Sequence, residues 1–79
     1  MLKPGTEYTV TCDRFYAAPF RESGLASRIP KGSRLLVLKP DGLPSYPSDN
    51  PPKRVRFAYE RKHYWHFEKC FVTCCRVSV

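Results

Sequence analysis

The side chains best able to do chemistry crowd into the last third of the chain, from Lys53 to Val79. Arg54, Arg56 and Glu60 alternate there with Val55, Phe57 and Tyr59, and after Glu60-Arg61-Lys62 come His63, Tyr64, Trp65, His66 and Phe67. A period of two over such a run predicts a β-hairpin. With Val55, Phe57, Tyr59, Trp65 and Phe67 turned inward, Arg54, Arg56, Lys62, Tyr64 and His66 share the outer face. Guanidinium groups pair bidentately with phosphates, while Tyr and His rings give unpaired bases a plane to stack on. The expected chemistry is non-covalent capture of nucleic acid.

Other constellations compete less well. His63-x2-His66-x3-Cys70-x3-Cys74 has the ligand types of a zinc site. On a strand, however, the odd separation sends His63 and His66 to opposite faces, and there is no Cys-x2-Cys knuckle. No metal or other cofactor is expected. Cys12, Cys70 and Cys74 are expected to fill core positions where the first and last strands meet. Cys74 and Cys75 are adjacent, so only one of them can be buried, leaving the other thiol open to oxidation. Neither histidine has an obvious carboxylate partner, and Glu60 and Glu68 are too far apart for acid–base work, so no enzymatic activity is expected. Pro44-Ser45-Tyr46-Pro47 fits a minimal P-x-x-P pattern, but it reads better as an extended loop.

The elements that must position these residues belong to one small domain spanning residues 1–79. So short a chain supports one modest core and no deep cleft. It holds 5 Phe, 5 Tyr and 1 Trp, an efficient filling for such a core, while 8 Pro discourage long helices. The net charge of +7 is uneven: residues 1–50 carry 7 Lys/Arg against 5 Asp/Glu, residues 51–79 carry 7 against 2. Basic excess argues about partners rather than fold. Met1-Leu2-Lys3-Pro4-Gly5 does not resemble the start of a signal peptide, and no apolar run approaches the length of a membrane span. A cytoplasmic setting with free thiols, and no membrane partner, is therefore expected.

Five strands are predicted. Glu7–Cys12 alternates, Arg34–Lys39 is a continuous apolar run between charges, the hairpin supplies two more, and Lys69–Val79 alternates again. Asp13–Ser33, broken by Pro19, Gly24, Pro30 and Gly32, is expected to be a long ordered loop with room for a helical turn over Phe20–Leu25. Pro40–Lys53 holds five prolines and is expected to be exposed and mobile. In its spacing of long loop, medium loop, tight turn and short link, this string resembles an all-β, five-stranded SH3-like barrel over roughly residues 6–78. In that likeness Asp13–Ser33 is the long first loop, Pro40–Lys53 the Pro-rich second loop and Glu60–Lys62 the distal turn. The signalling members carry an Ala-Leu-Tyr-Asp-Tyr motif, a paired Trp-Trp and an acidic long loop. This chain instead has Arg14, Arg21, Arg28 and Lys31 in that loop, closer to basic barrels of integrases, ribosomal proteins and short phage proteins.

The sequence thus points to a monomeric or weakly dimeric binding module. Its expected partner is nucleic acid or a nucleoprotein complex, held by Arg54, Arg56, Lys62, Tyr64 and His66, with Arg14, Arg21, Arg28 and Lys31 as secondary contacts. The alternative is a phage or mobile-element inhibitor or adaptor that blocks a host complex. There Phe15, Tyr16, Phe20 and Leu25 would form an aromatic anchor, and the basic charge would steer it to an acidic host protein.

Overall fold

The computed structural model describes residues 2–20, 26–39, 41–43, 45 and 47–78. Seven strands run in chain order β1 (Glu7–Val10), β2 (Phe15–Pro19), β3 (Ser27–Ile29), β4 (Arg34–Leu38), β5 (Arg54–Tyr59), β6 (Lys62–Phe67) and β7 (Cys75–Val77), with helix α1 (Glu68–Cys74) between the last two. They form one antiparallel sheet in the order β3-β2-β6-β5-β4-β1-β7. The sheet is open, with β3 and β7 at its edges, and is not the closed five-stranded barrel expected. The two additional strands come from the segment read as a loop: Phe15, Tyr16 and Ala17 pair with Ile29, Arg28 and Ser27. The helical turn expected over Phe20–Leu25 falls mostly outside the described residues.

Alternation sets the inner face. Val10, Phe15, Ala17, Ile29, Leu35, Val37, Val55, Phe57, Tyr64 and Cys75 are buried, one or two from each strand. The sheet curls around Phe71 of α1, whose ring is fully buried. Phe71 lies 5.2 Å from Tyr8, 6.0 Å from Phe15 and 5.3 Å from Phe57 between ring centroids. β1 and β2 are four places apart in the sheet, so one ring touching both makes the inner face concave.

Helix α1 replaces the first half of the expected fifth strand, leaving only Cys75–Val77 extended. Val72 and Thr73 are β-branched and the local sequence alternates, which favours a strand. Seven residues are also too few for a stable isolated helix. Topology overrides these preferences. β6 and β7 are separated by three strands, and α1 carries the chain between them while driving Phe71 into the concavity. Its ends are secured by Glu68 N–H donating to Lys53 O (2.9 Å) and by Cys75 N–H donating to Phe71 O.

The tight turn between β5 and β6 contains two residues, Glu60 and Arg61, with φ of 49° and 66°. Two successive positive φ values are those of a type I′ turn, the connection whose twist suits a two-residue hairpin. Neither residue is Gly, Asn or Asp, so each bears the Cβ strain of the left-handed region. Replacing the pair by Asn-Gly (Glu60→Asn with Arg61→Gly) is expected to raise stability by about 1–2 kcal/mol. The measurement is the urea midpoint at unchanged m-value. A lower midpoint would contradict the strained turn.

Candidate nucleic-acid interface

With two residues rather than three in the turn, Tyr59 pairs with Lys62, Phe57 with Tyr64 and Val55 with His66. Directly opposed residues share a face, so the inward Phe57 and Val55 bring Tyr64 and His66 inward as well. The expected parity of β6 is therefore reversed. Tyr64 is buried, with its ring 6.0 Å from Phe57, and His66 is half-buried, edge-on to Phe15 at 5.3 Å. Neither belongs to the outer face. Trp65 and Phe67, expected inside, take their place there. Lys62 is exposed at the hairpin tip.

On the convex face the rows across β5 and β6 are Arg54–Phe67, Arg56–Trp65 and Ala58–His63. Trp65 continues the second row onto Ala18 of β2. The Arg54 guanidinium carbon stands 5.4 Å from the Trp65 ring centroid, and Phe67 meets Trp65 edge-to-face at 5.5 Å. Two residues along β2 from Ala18, Tyr16 reaches the same face, 47% exposed and paired with Arg28. Across the four adjacent strands β5, β6, β2 and β3, arginines therefore flank the rings of Trp65, Phe67 and Tyr16. Arg28 is oriented by two bonds donated to Asp13 O, from Nε at 3.2 Å and Nη2 at 2.9 Å. Arg14 and Lys31 are exposed on the connections flanking the β2–β3 hairpin, away from the β5–β6 rows. Arg21 lies outside the described residues.

Arg56 sits where this face meets a cleft at the hairpin tip. Its guanidinium lies 4.1 Å from the Phe20 ring centroid, donates from Nη1 to Asp41 O at 3.1 Å and from Nη2 to His63 Nδ1 at 2.8 Å. Arginine has no acceptor, so Nδ1 of His63 is the acceptor and its proton rides on Nε2. The Arg56 Nε–H is buried without a partner. Leaving such a donor unmade costs about 1–3 kcal/mol, comparable to the cation–π attraction of about 0.5–2 kcal/mol. Phe20 is buried and held by its own N–H donating to His63 O (2.9 Å). Gly42, at φ +74°, brings the loop back so closely that a Cβ there would stand 3.5 Å from the Phe20 ring. The start of the Pro-rich loop, expected to be mobile, is in this way pinned to the site. The cleft encloses about 420 Å³ between Pro19, Phe20 and Ser27 on one side and Arg56 and residues 61–64 on the other.

The cysteines also differ from expectation. Cys75 is the buried one, paired with Val10, while Cys12 and Cys74 are half-buried and Cys70 is exposed. Burial pushes the Cys75 thiol up to about 12; the hydrogen bond shared with Cys12, then burial, pushes Cys74 up to about 11. Low thiolate content makes both poor nucleophiles. His63 and His66 face opposite sides of β6, and among the described residues no three His, Cys, Asp or Glu side chains converge as a metal site would require. Among them also, no helix is long and apolar enough to cross a membrane.

Two measurements follow from these environments. Alkylation at pH 8 read by mass spectrometry is expected to label Cys70 first and Cys75 only after unfolding; early labelling of Cys75 would contradict its burial. Burial holds the His66 imidazole below its ordinary 6.5, so the unfolded chain takes up a proton first as pH falls. The His66 contribution is whole above that ordinary value and is withdrawn as pH falls through the lowered folded one. The melting temperature is expected to drop over this window in the wild type and to drop less in His66→Phe. Comparison of the chain with family models, with characterised proteins and with solved structures finds no match.

Proposed function

We propose that this chain is a small non-enzymatic binding module that engages nucleic acid, alone or within a nucleoprotein complex, in the cytoplasm. The observation that carries the reading is the row of arginines beside rings on one half-buried outer face, with Arg54 over Trp65 and the cross-strand pairs Arg56–Trp65 and Arg54–Phe67. Arginines supply the phosphate contacts, and Trp65, Phe67 and Tyr16 supply sequence-tolerant stacking. Stacking needs unpaired bases, so single strands are the favoured ligand. Arg28 extends the face across β2 and β3, while Arg14, Lys31 and Lys62 contribute to the positive field at its margins.

The likeness to SH3-like barrels rests on the spacing of the chain; with the β2–β3 hairpin set aside, the remaining strands of the open sheet lie in the order β6-β5-β4-β1-β7. The inhibitor or adaptor reading asks Phe15, Tyr16, Phe20 and Leu25 for an exposed anchor. Phe15 and Phe20 are buried in this fold, which favours the nucleic-acid reading. Leu25 lies outside the described residues.

The test is binding to labelled single-stranded and duplex DNA and RNA across salt concentration. Single strands are expected to bind more tightly. The Arg54→Ala/Arg56→Ala variant is expected to flatten the logarithmic salt slope by about 1.4, roughly 0.7 for each phosphate left unneutralised. Trp65→Ala is expected to cost about 1–3 kcal/mol of binding with the slope kept. Unchanged binding by both variants would remove this face from consideration.

A further inference from the structure

The cleft at the β5–β6 tip differs in kind from the open face beside it. Arg56, Arg61 and Lys62 bring three formal positive charges to its wall, and no Asp or Glu side chain lines it among the described residues. Arg56 meets no carboxylate there: its described partners are a carbonyl, an imidazole and a ring. Those partners fix the guanidinium plane while leaving the Nε–H without an acceptor. Each Nη makes one described bond and keeps a second N–H, and a cation held in this way is preorganised for an anion, because the binding step need not orient it. At about 420 Å³ the cleft lies within the range of small-molecule sites. Pro19 and Phe20 add apolar surface to the wall. A phosphate monoester carries about 1.5 to 2 negative charges near neutral pH, against one for the diester within a strand, so three cations with no carboxylate among the described lining residues favour the monoester.

We propose that this cleft binds the phosphomonoester of a nucleotide, with Arg56 as its central donor. As the phosphorylated end of a strand, the ligand would have its neighbouring bases on Trp65 and Phe67, since Arg56 belongs to both surfaces; to that extent the inference rests on the nucleic-acid reading of the face. A free mononucleotide offers the same chemistry.

The experiment uses the full chain and one oligonucleotide in three forms, 5′-phosphorylated, 3′-phosphorylated and with both ends hydroxyl, together with uridine 5′-monophosphate and uridine. Affinity is read by anisotropy or calorimetry, and His63 and Tyr64 are followed by NMR. A phosphorylated end is expected to tighten binding about tenfold or more over the hydroxyl form. Arg56→Lys, which keeps the charge but loses the planar guanidinium and its Nη donors, is expected to erase that difference, whereas Arg54→Ala weakens all three forms alike. Both variants are first checked for wild-type melting. A preference for a phosphorylated end without a response to the mononucleotide supports the site and assigns it to strand ends. Uridine 5′-monophosphate shifting His63 and Tyr64 where uridine does not, while no oligonucleotide binds, supports the cleft and overturns the face. Equal binding of the three oligonucleotides with no mononucleotide response overturns the cleft and leaves the face standing. No binding of any ligand overturns both.

Discussion

Glu60 and Arg61 hold the backbone in the left-handed region, and that single constraint decides which side of β6 meets the core. A two-residue turn pairs Tyr59 with Lys62, and every later residue of β6 inherits its direction from that pair. Tyr64 and His66 are thereby committed to the concavity. His63, Trp65 and Phe67 are committed to the convex side, beside Arg54 and Arg56. One more residue in the turn would exchange the two sets, placing a tryptophan in the core and stranding the buried tyrosine outside. The strain at the turn is small beside the burial it directs.

The concave side is organised by Phe71, which touches rings from β1, β2 and β5 and so fixes the curl of the sheet. Because α1 fills that hollow, the convex side along β5 and β6 is left half-buried, with its cations and aromatics packed on one another. Arg56 links this surface to the cleft. Its neighbours Phe20, Asp41 and His63 come from three separate segments, so the β2 end, the Pro-rich loop and β6 meet around one guanidinium.

Much of this is legible from residue types. The alternation of Glu7–Val10, the apolar run Arg34–Leu38 and the basic-aromatic hairpin mark four of the strands, and Arg54 and Arg56 fall on the correct face because Val55 and Phe57 fix β5. What the residues mislead on has identifiable causes. Glu60-Arg61 lacks the Asn-Gly signature of a two-residue turn, so the parity of β6 reads one residue off. Phe15-Tyr16-Ala17 is hidden as a strand by the surrounding Pro and Gly, although Phe15 and Ala17 flanking Tyr16 do alternate. Lys69–Cys74 reads as extended by composition, and only the need to cross three strands makes it helical. The roles of Phe20, Asp41 and Gly42 depend on tertiary return of a loop, which no local pattern encodes. Trp65 carries a signal that cuts both ways: an indole next to alternating arginines is as suited to stacking outside as to filling space inside.

Phe71 has a consequence for how the protein is made. During synthesis Phe15 emerges early and Phe57 much later, yet neither can complete its burial until α1 has left the ribosome and β7 can pair with β1. The segments from Phe15 to Val77 must therefore all be translated before the core closes, and its closure brings together residues distant in sequence. In the interval the β2–β3 and β5–β6 hairpins expose their aromatic inner faces to whatever the nascent chain meets.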